Sequence, residues 1–164
     1  KGQGYLKEVN QYHLQDLGKW MFGISCLWTY LWFSQFMLIW YANIPEEATY
    51  FMARFEDYNF IYFFMIFMNF VLPFFLLMDK ENKRNKGWLA VVGIIVFFFH
   101  WLDVYLLVTP GTMKGDWHFG FVEIGMFLGF CGLFMLVVFN ALSKAPLVVK
   151  KHPFLDESIH FQQN

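Results

Sequence analysis

Residues 88–109 read WLAVVGIIVFFFHWLDVYLLVT. A run of about 20 apolar residues spans a ~30 Å hydrocarbon core when helical, at 1.5 Å per residue. Three further runs, at roughly 20–43, 59–78 and 119–142, have the same character. The chain of 164 residues is 58% hydrophobic and 15% charged, and a soluble domain does not gather its apolar residues into runs of this length. The expected fold class is an all-α membrane protein: four transmembrane helices in one up-down bundle over 1–164, with 143–164 as a polar tail. Trp20, Trp40, Tyr41, Tyr58, Trp88 and Trp117 fall at the ends of the runs. Amphipathic rings prefer that interface.

The polar segments sort by charge. Lys1, Lys7, Lys19, Lys80, Lys83, Arg84, Lys86, Lys144, Lys150 and Lys151 lie before the first run, between the second and third, or after the fourth. The two alternate loops hold only Arg54 and Lys114. The positive-inside rule then puts both termini and the 79–87 loop in the cytoplasm, and IPEEATYFMARFED (44–57) outside. The start KGQGYL has neither Met nor a signal-peptide pattern, as expected of a segment of a longer polypeptide or of a processed N-terminus. A net charge of −1 gives no electrostatic footprint for nucleic acid. Cys26 and Cys131 sit in apolar runs without metal or haem-attachment spacing, and read as buried, inert thiols.

His100 and Asp103 break the third run. At i, i+3 they share one helix face. Counting helical rise, Asp103 lies about 9 Å and His100 about 14 Å from the outer end of the run, and Glu123 about 6 Å below the outer end of the fourth. Ionisable groups in a span face a bundle interior or a watery cavity. Loss of water brings the proton affinities of an acid and an imidazole together, so such a pair can exchange protons near neutral pH. The functional expectation is a proton half-channel open to the outside; the structural alternative is a hydrogen bond that locks helix packing. Cys26, Tyr30 and Ser34 form a stripe on the first run, with Thr29 and Gln35 beside it. Asn69 precedes a kink at Pro73. Tyr30, Ser34, Gln35 and Asn69 either line a water chain or a quinone pocket, or make interhelical hydrogen bonds. Gly125, Gly129 and Gly132 make one thin face of the fourth run, suited to close helix contact. No second intramembrane histidine completes a haem site, and there is no phosphate loop and no Ser-His-Asp pattern. No cofactor is therefore expected on this segment itself.

Residues 33–47, FSQFMLIWYANIPEE, resemble a characteristic stretch of the NrfD/PsrC-like membrane subunits. Within that family the chain is most similar to the F subunits of alternative complex III. The lysine-rich turn after PFFLLM and the tail HPFLDESIHF add to the likeness. The resemblance implies the C-terminal bundle of a larger subunit in the bacterial inner membrane, within a quinol-oxidising respiratory complex. Implied partners are a paralogous membrane subunit, an iron–sulfur protein and multihaem c-type cytochromes, so haem c and iron–sulfur clusters belong to partners. Menaquinol or ubiquinol, and lipid, complete the set; a quinone could bind this chain. The implied role is a proton path through His100, Asp103 and Glu123, continued by Tyr30, Ser34, Gln35 and Asn69. Trp40, Tyr41, Asn43, Pro45, Glu46 and Glu47 end the motif at the outer face, where they would dock a partner or cap the next segment; simple solvation is the alternative for Glu46 and Glu47. Quinol binding near the outer face and a purely structural anchor are the alternative roles.

Overall fold

The structure, a computed structural model, describes residues 9–113, 120–146 and 152–161. The expected start of the fourth span at 119, Trp117, and Lys1, Lys7, Lys114, Lys150 and Lys151 of the charge count lie outside the described residues. Every regular element among the described residues is helical. Four helical stretches are long and apolar enough to cross a membrane: Gln11–Ala42, Asn59–Met78, Lys86–Met113 and Phe121–Lys144. The chain divides into two compact units, Gln11–Trp117 and the remainder.

The larger unit holds α1 (Gln11–Ala42), α2 (Pro45–Glu56), α3 (Asn59–Ile66), α4 (Leu72–Met78), α5 (Lys80–Arg84) and α6 (Lys86–Met113). A π-helical turn, Phe67–Val71, joins α3 to α4, so both belong to one span. Pro73 explains it. Proline has no N–H for the carbonyl one turn back, here that of Asn69, and its ring crowds that carbonyl. The turn widens instead, and the Leu72 N–H donates to the Phe67 carbonyl, five residues back.

Side-chain pairs set the register of the three spans. The rings of Phe22 and Phe74 are 5.3 Å apart, and Trp32 Nε1 donates to the Tyr62 hydroxyl at 3.0 Å. Ascending α1 therefore meets descending α3 and α4. Met21 lies against Gly93, and Trp28 against Asp103, so α6 runs alongside α1 in the same direction. The core has two parts. Leu77, Leu89 and Val92 are buried at one end, packed by Leu14, Met21, Phe22, Leu76 and Val96. Phe51, Tyr58, Tyr62, Met65, Leu102, Tyr105 and Leu106 are buried at the other, packed by Trp28, Trp32, Phe36 and Phe99 among others. Along α6 the first part ends at Val96 and the second begins at Phe99. His100 sits just past that junction, and Asp103 lies within the second part, between Leu102 and Tyr105. The outer faces of these helices stay apolar, with Leu38, Phe60, Ile94 and Val104 all exposed. Lipid tails are as apolar as leucine, so polar contacts and close packing, not apolar burial, hold such spans together.

Two segments depart from the sequence reading. Residues 44–57, read as an outer loop, contain the 12-residue α2. Its start has Pro45 in the first turn, with Glu46 and Glu47 beside the positive end of the helix dipole. Phe51 and Arg54 are its buried residues. Asn43 makes the corner before it: α1 ends there with Asn43 at φ 47°, its N–H donating to the Ile39 carbonyl at 3.0 Å. Asparagine tolerates this left-handed cap better than most residues. The second departure is the length of α1, which starts at Gln11 instead of about 20. Its polar first turns are tied to α5: Arg84 Nε donates to the buried Gln15 Oε1 at 2.9 Å, and a Cβ on Gly18 would lie 2.7 Å from Lys83 Cγ. Glycine is what lets α5 approach α1 this closely.

The smaller unit contains α7 (Phe121–Lys144) and α8 (Leu155–Ile159). Within it, Asn10 Nδ2 donates to the Phe161 carbonyl at 2.9 Å.

Candidate functional site: a polar cluster among three spans

Asp103 and His100 are half-buried on the inward face of α6. Each has its own partners. Trp28 Nε1 on α1 donates to Asp103 Oδ2 at 2.9 Å, and the Trp28 ring lies 5.7 Å from the His100 ring. His100 Nδ1 lies 3.0 Å from Asn69 Oδ1 and 3.0 Å from the Val96 carbonyl of its own helix. Asn69 is fully buried on the π turn, and its Nδ2 donates to the Phe99 carbonyl at 3.1 Å. The cluster thus joins all three spans: Trp28 from the first, Asn69 from the second, His100 and Asp103 from the third. The hydrogen bonds run between spans or to backbone, not between His100 and Asp103.

Arg54 on α2 completes it. Its side chain is 3% exposed, and Nη2 donates to the carbonyls of Leu106 at 2.9 Å and Leu107 at 3.2 Å. Nη1 donates to the Tyr50 carbonyl, and the guanidinium lies 3.4 Å from the centre of the Tyr50 ring. Pro110, inside α6, accounts for the opening at Leu106. Proline supplies no N–H to the carbonyl four residues before it, and that carbonyl is Leu106. Arg54 supplies the missing donor. Burial pulls the Arg54 guanidinium below its ordinary value, and the neighbouring Tyr50, Tyr62, Tyr58 and Asp103 oppose that pull. A guanidinium stays charged under such conditions. Arg54 therefore brings a fixed positive charge into the field of Asp103. Beside it, Tyr62, 3% exposed, accepts from Trp32.

Ser25 Oγ is buried and has no protein partner among the described residues. It lies one turn before Trp28 on the inward face of α1.

The remaining candidates are elsewhere. Tyr30 is 67% exposed and Gln35 is exposed, both turned away from the core of the larger unit, and Ser34 is half-buried. The inward stripe of α1 is instead Ser25, Trp28, Trp32, Phe36 and Ile39. Trp40, Tyr41, Asn43, Pro45, Glu46 and Glu47 are exposed around the corner between α1 and α2. Glu123 belongs to the smaller unit, where its Oε2 accepts from the Gly120 N–H at 2.9 Å and caps α7. Cys26 and Cys131 are free and half-buried. No group of three or more metal-binding side chains occurs among the described residues.

The sequence reading missed Trp28, Trp32, Arg54 and Tyr62. A signal for Arg54 existed: a lone arginine in an aromatic helix, and Pro110 downstream leaving a carbonyl to be met. Trp28 and Trp32 were hidden because indole counts as apolar while its N–H remains a donor. Compared with known proteins, the chain matches no family model and no curated sequence.

Proposed function

We propose that this chain is a proton-conducting membrane subunit of a quinol-oxidising respiratory complex of the alternative complex III type. One observation carries the conducting role: an acid, an imidazole and a fixed guanidinium gathered on the interior faces of a three-span unit, where ionisable groups are costly. Asp103 and His100 are the exchanging groups, and Arg54 on α2 supplies a fixed positive charge beside them. The complex itself is supported by the likeness of residues 33–47 to the NrfD/PsrC-like subunits. On this reading the chain is the C-terminal half of a polytopic subunit in the bacterial inner membrane, its four spans forming an up-down bundle. Both termini are cytoplasmic, as the lysine distribution supports. Iron–sulfur and cytochrome partners carry the redox centres.

Asp103→Asn tests the role. An amide oxygen still accepts from Trp28, so packing is kept while titration is removed. In vesicles containing the assembled complex, the proton-to-electron ratio falls and quinol-driven electron transfer continues. An unchanged ratio makes His100 and Asp103 packing residues of an anchor; a loss of electron transfer itself points to quinol binding.

A further inference from the structure

We infer that Asn69 is a positioning residue that locks His100 as its Nδ1–H tautomer, leaving Nε2 as the nitrogen that exchanges protons. The assignment follows from which groups can only accept. The Phe99 carbonyl has no proton to give, so the amide of Asn69 must turn its NH2 toward it, at 3.1 Å. Asn69 Oδ1 then faces His100 Nδ1 at 3.0 Å. The other partner of that nitrogen, the Val96 carbonyl at 3.0 Å, is also only an acceptor. An unprotonated Nδ1 would place its lone pair against two oxygens. Turning the ring over would set a carbon there and leave both oxygens without a donor. Nδ1 therefore holds its proton whether the ring is neutral or charged. Nε2, which has no hydrogen bond within the described residues, is the site that gains or loses one.

The π turn is what makes the lock. Pro73 forces the turn to widen at Asn69, and the widened turn carries the amide to the backbone of α6 at Phe99. Such turns recur at functional sites for this reason: they re-aim one side chain without ending the helix. The tautomer stands whatever the chain does; only its consequence, that protons pass through Nε2, rests on the conducting role proposed above.

The experiment is nitrogen-15 NMR of the histidine-labelled chain in micelles, with the His100 signals identified by their loss in His100→Gln. At a pH where the ring is neutral, the unprotonated nitrogen is expected to couple strongly to both ring C–H protons, which marks it as Nε2. An unprotonated nitrogen coupled strongly to Hε1 alone is Nδ1, and overturns the assignment without any variant at Asn69. Asn69→Leu removes the side-chain acceptor, and the single Nδ1–H signature is expected to give way to a mixture with the Nε2–H form. Asn69→Asp restores an acceptor and is expected to restore the single signature. If Asn69→Leu leaves the signature unchanged, the Val96 carbonyl alone sets the tautomer and the role of Asn69 falls. If Asn69→Leu does not fold, Asn69→Asp still decides: loss of the Nδ1–H signature in that variant overturns the lock. These outcomes are independent of the proton-to-electron ratio in Asp103→Asn, so this inference and the conducting role can fail separately.

Discussion

Arg54 Nη2 donates to the Leu106 carbonyl at 2.9 Å, across from α2 to α6. Pro110 has removed the donor this carbonyl would have had inside its own helix. One residue opens the α6 ladder, and a side chain from a neighbouring helix closes it. The arrangement also fixes where α2 sits, because Phe51 beside Arg54 enters the aromatic core.

The two residues are therefore expected to be coupled. Arg54→Met strands a buried carbonyl and should destabilise by about 1–3 kcal/mol. In a Pro110→Ala background the Ala N–H serves Leu106, and the same change should cost less by about 1 kcal/mol. Denaturant unfolding of the four proteins in mixed micelles measures the coupling. Strictly additive effects would mean that Arg54 holds α2 by charge alone.

Asp103 offers a separation of packing from titration. Asp103→Asn keeps an acceptor for Trp28 Nε1 and should change unfolding by less than about 1 kcal/mol. Asp103→Leu leaves the indole N–H unmet inside the unit and should cost about 1–3 kcal/mol. Trp28→Phe in the Asp103→Leu background should recover part of that loss, because the orphaned donor is gone. Equal destabilisation by Asn and Leu would show that the charge, and not the hydrogen bond, holds the site.

The spans were legible because hydropathy accumulates over about 20 residues and needs no partner to be read. His100 and Asp103 were legible for a related reason: an ionisable group in such a run has few places to face. The inward stripe of α1 was not. The visible polar residues, Tyr30 and Gln35, point away from the core, and the residues that bond inward are Trp28 and Trp32. Hydropathy contrast does not rank a tryptophan above a tyrosine on a face. The helix α2 was hidden differently. Pro45, Glu46, Glu47 and Arg54 are all start and stop signals, but their charge marked the segment as a loop between spans.

Pro73 yields a prediction that runs against helix propensity. In a helix interior alanine is favoured over proline by about 3 kcal/mol. Pro73→Ala should nevertheless weaken the larger unit. It returns an N–H to Asn69, lets the π turn relax to α, and swings the Asn69 amide from Phe99 and His100 by up to about 100°, the step of one residue. Hydrogen exchange at Asp103, whose own N–H pairs near Phe99 in a regular helix, should rise in this variant. Stabilisation by Pro73→Ala, with unchanged exchange, would mean that the π turn is not what presents Asn69.

Gly18 tests the other end of the unit. A Cβ there would lie 2.7 Å from Lys83 Cγ and 3.0 Å from Lys83 Cβ, closer than such atoms approach without displacement. Lysine is flexible toward its tip, but these atoms are near its root, so relief requires α5 to shift. That shift pulls on Arg84, whose Nε is bonded to the buried Gln15 Oε1 at 2.9 Å. Gly18→Ala gains about 1 kcal/mol in helix propensity, and Gly18→Val gains less while adding bulk. Overpacking costs about 1–3 kcal/mol. The expected result is a small net loss for Gly18→Ala and a larger one for Gly18→Val. Lys83→Gly, which removes the facing atoms, should turn Gly18→Ala from a loss into a gain. Thermal unfolding of the three variants and the double variant measures this. A gain from Gly18→Ala with Lys83 still in place would show that α5 yields freely, and that the contact with α1 does not set its position.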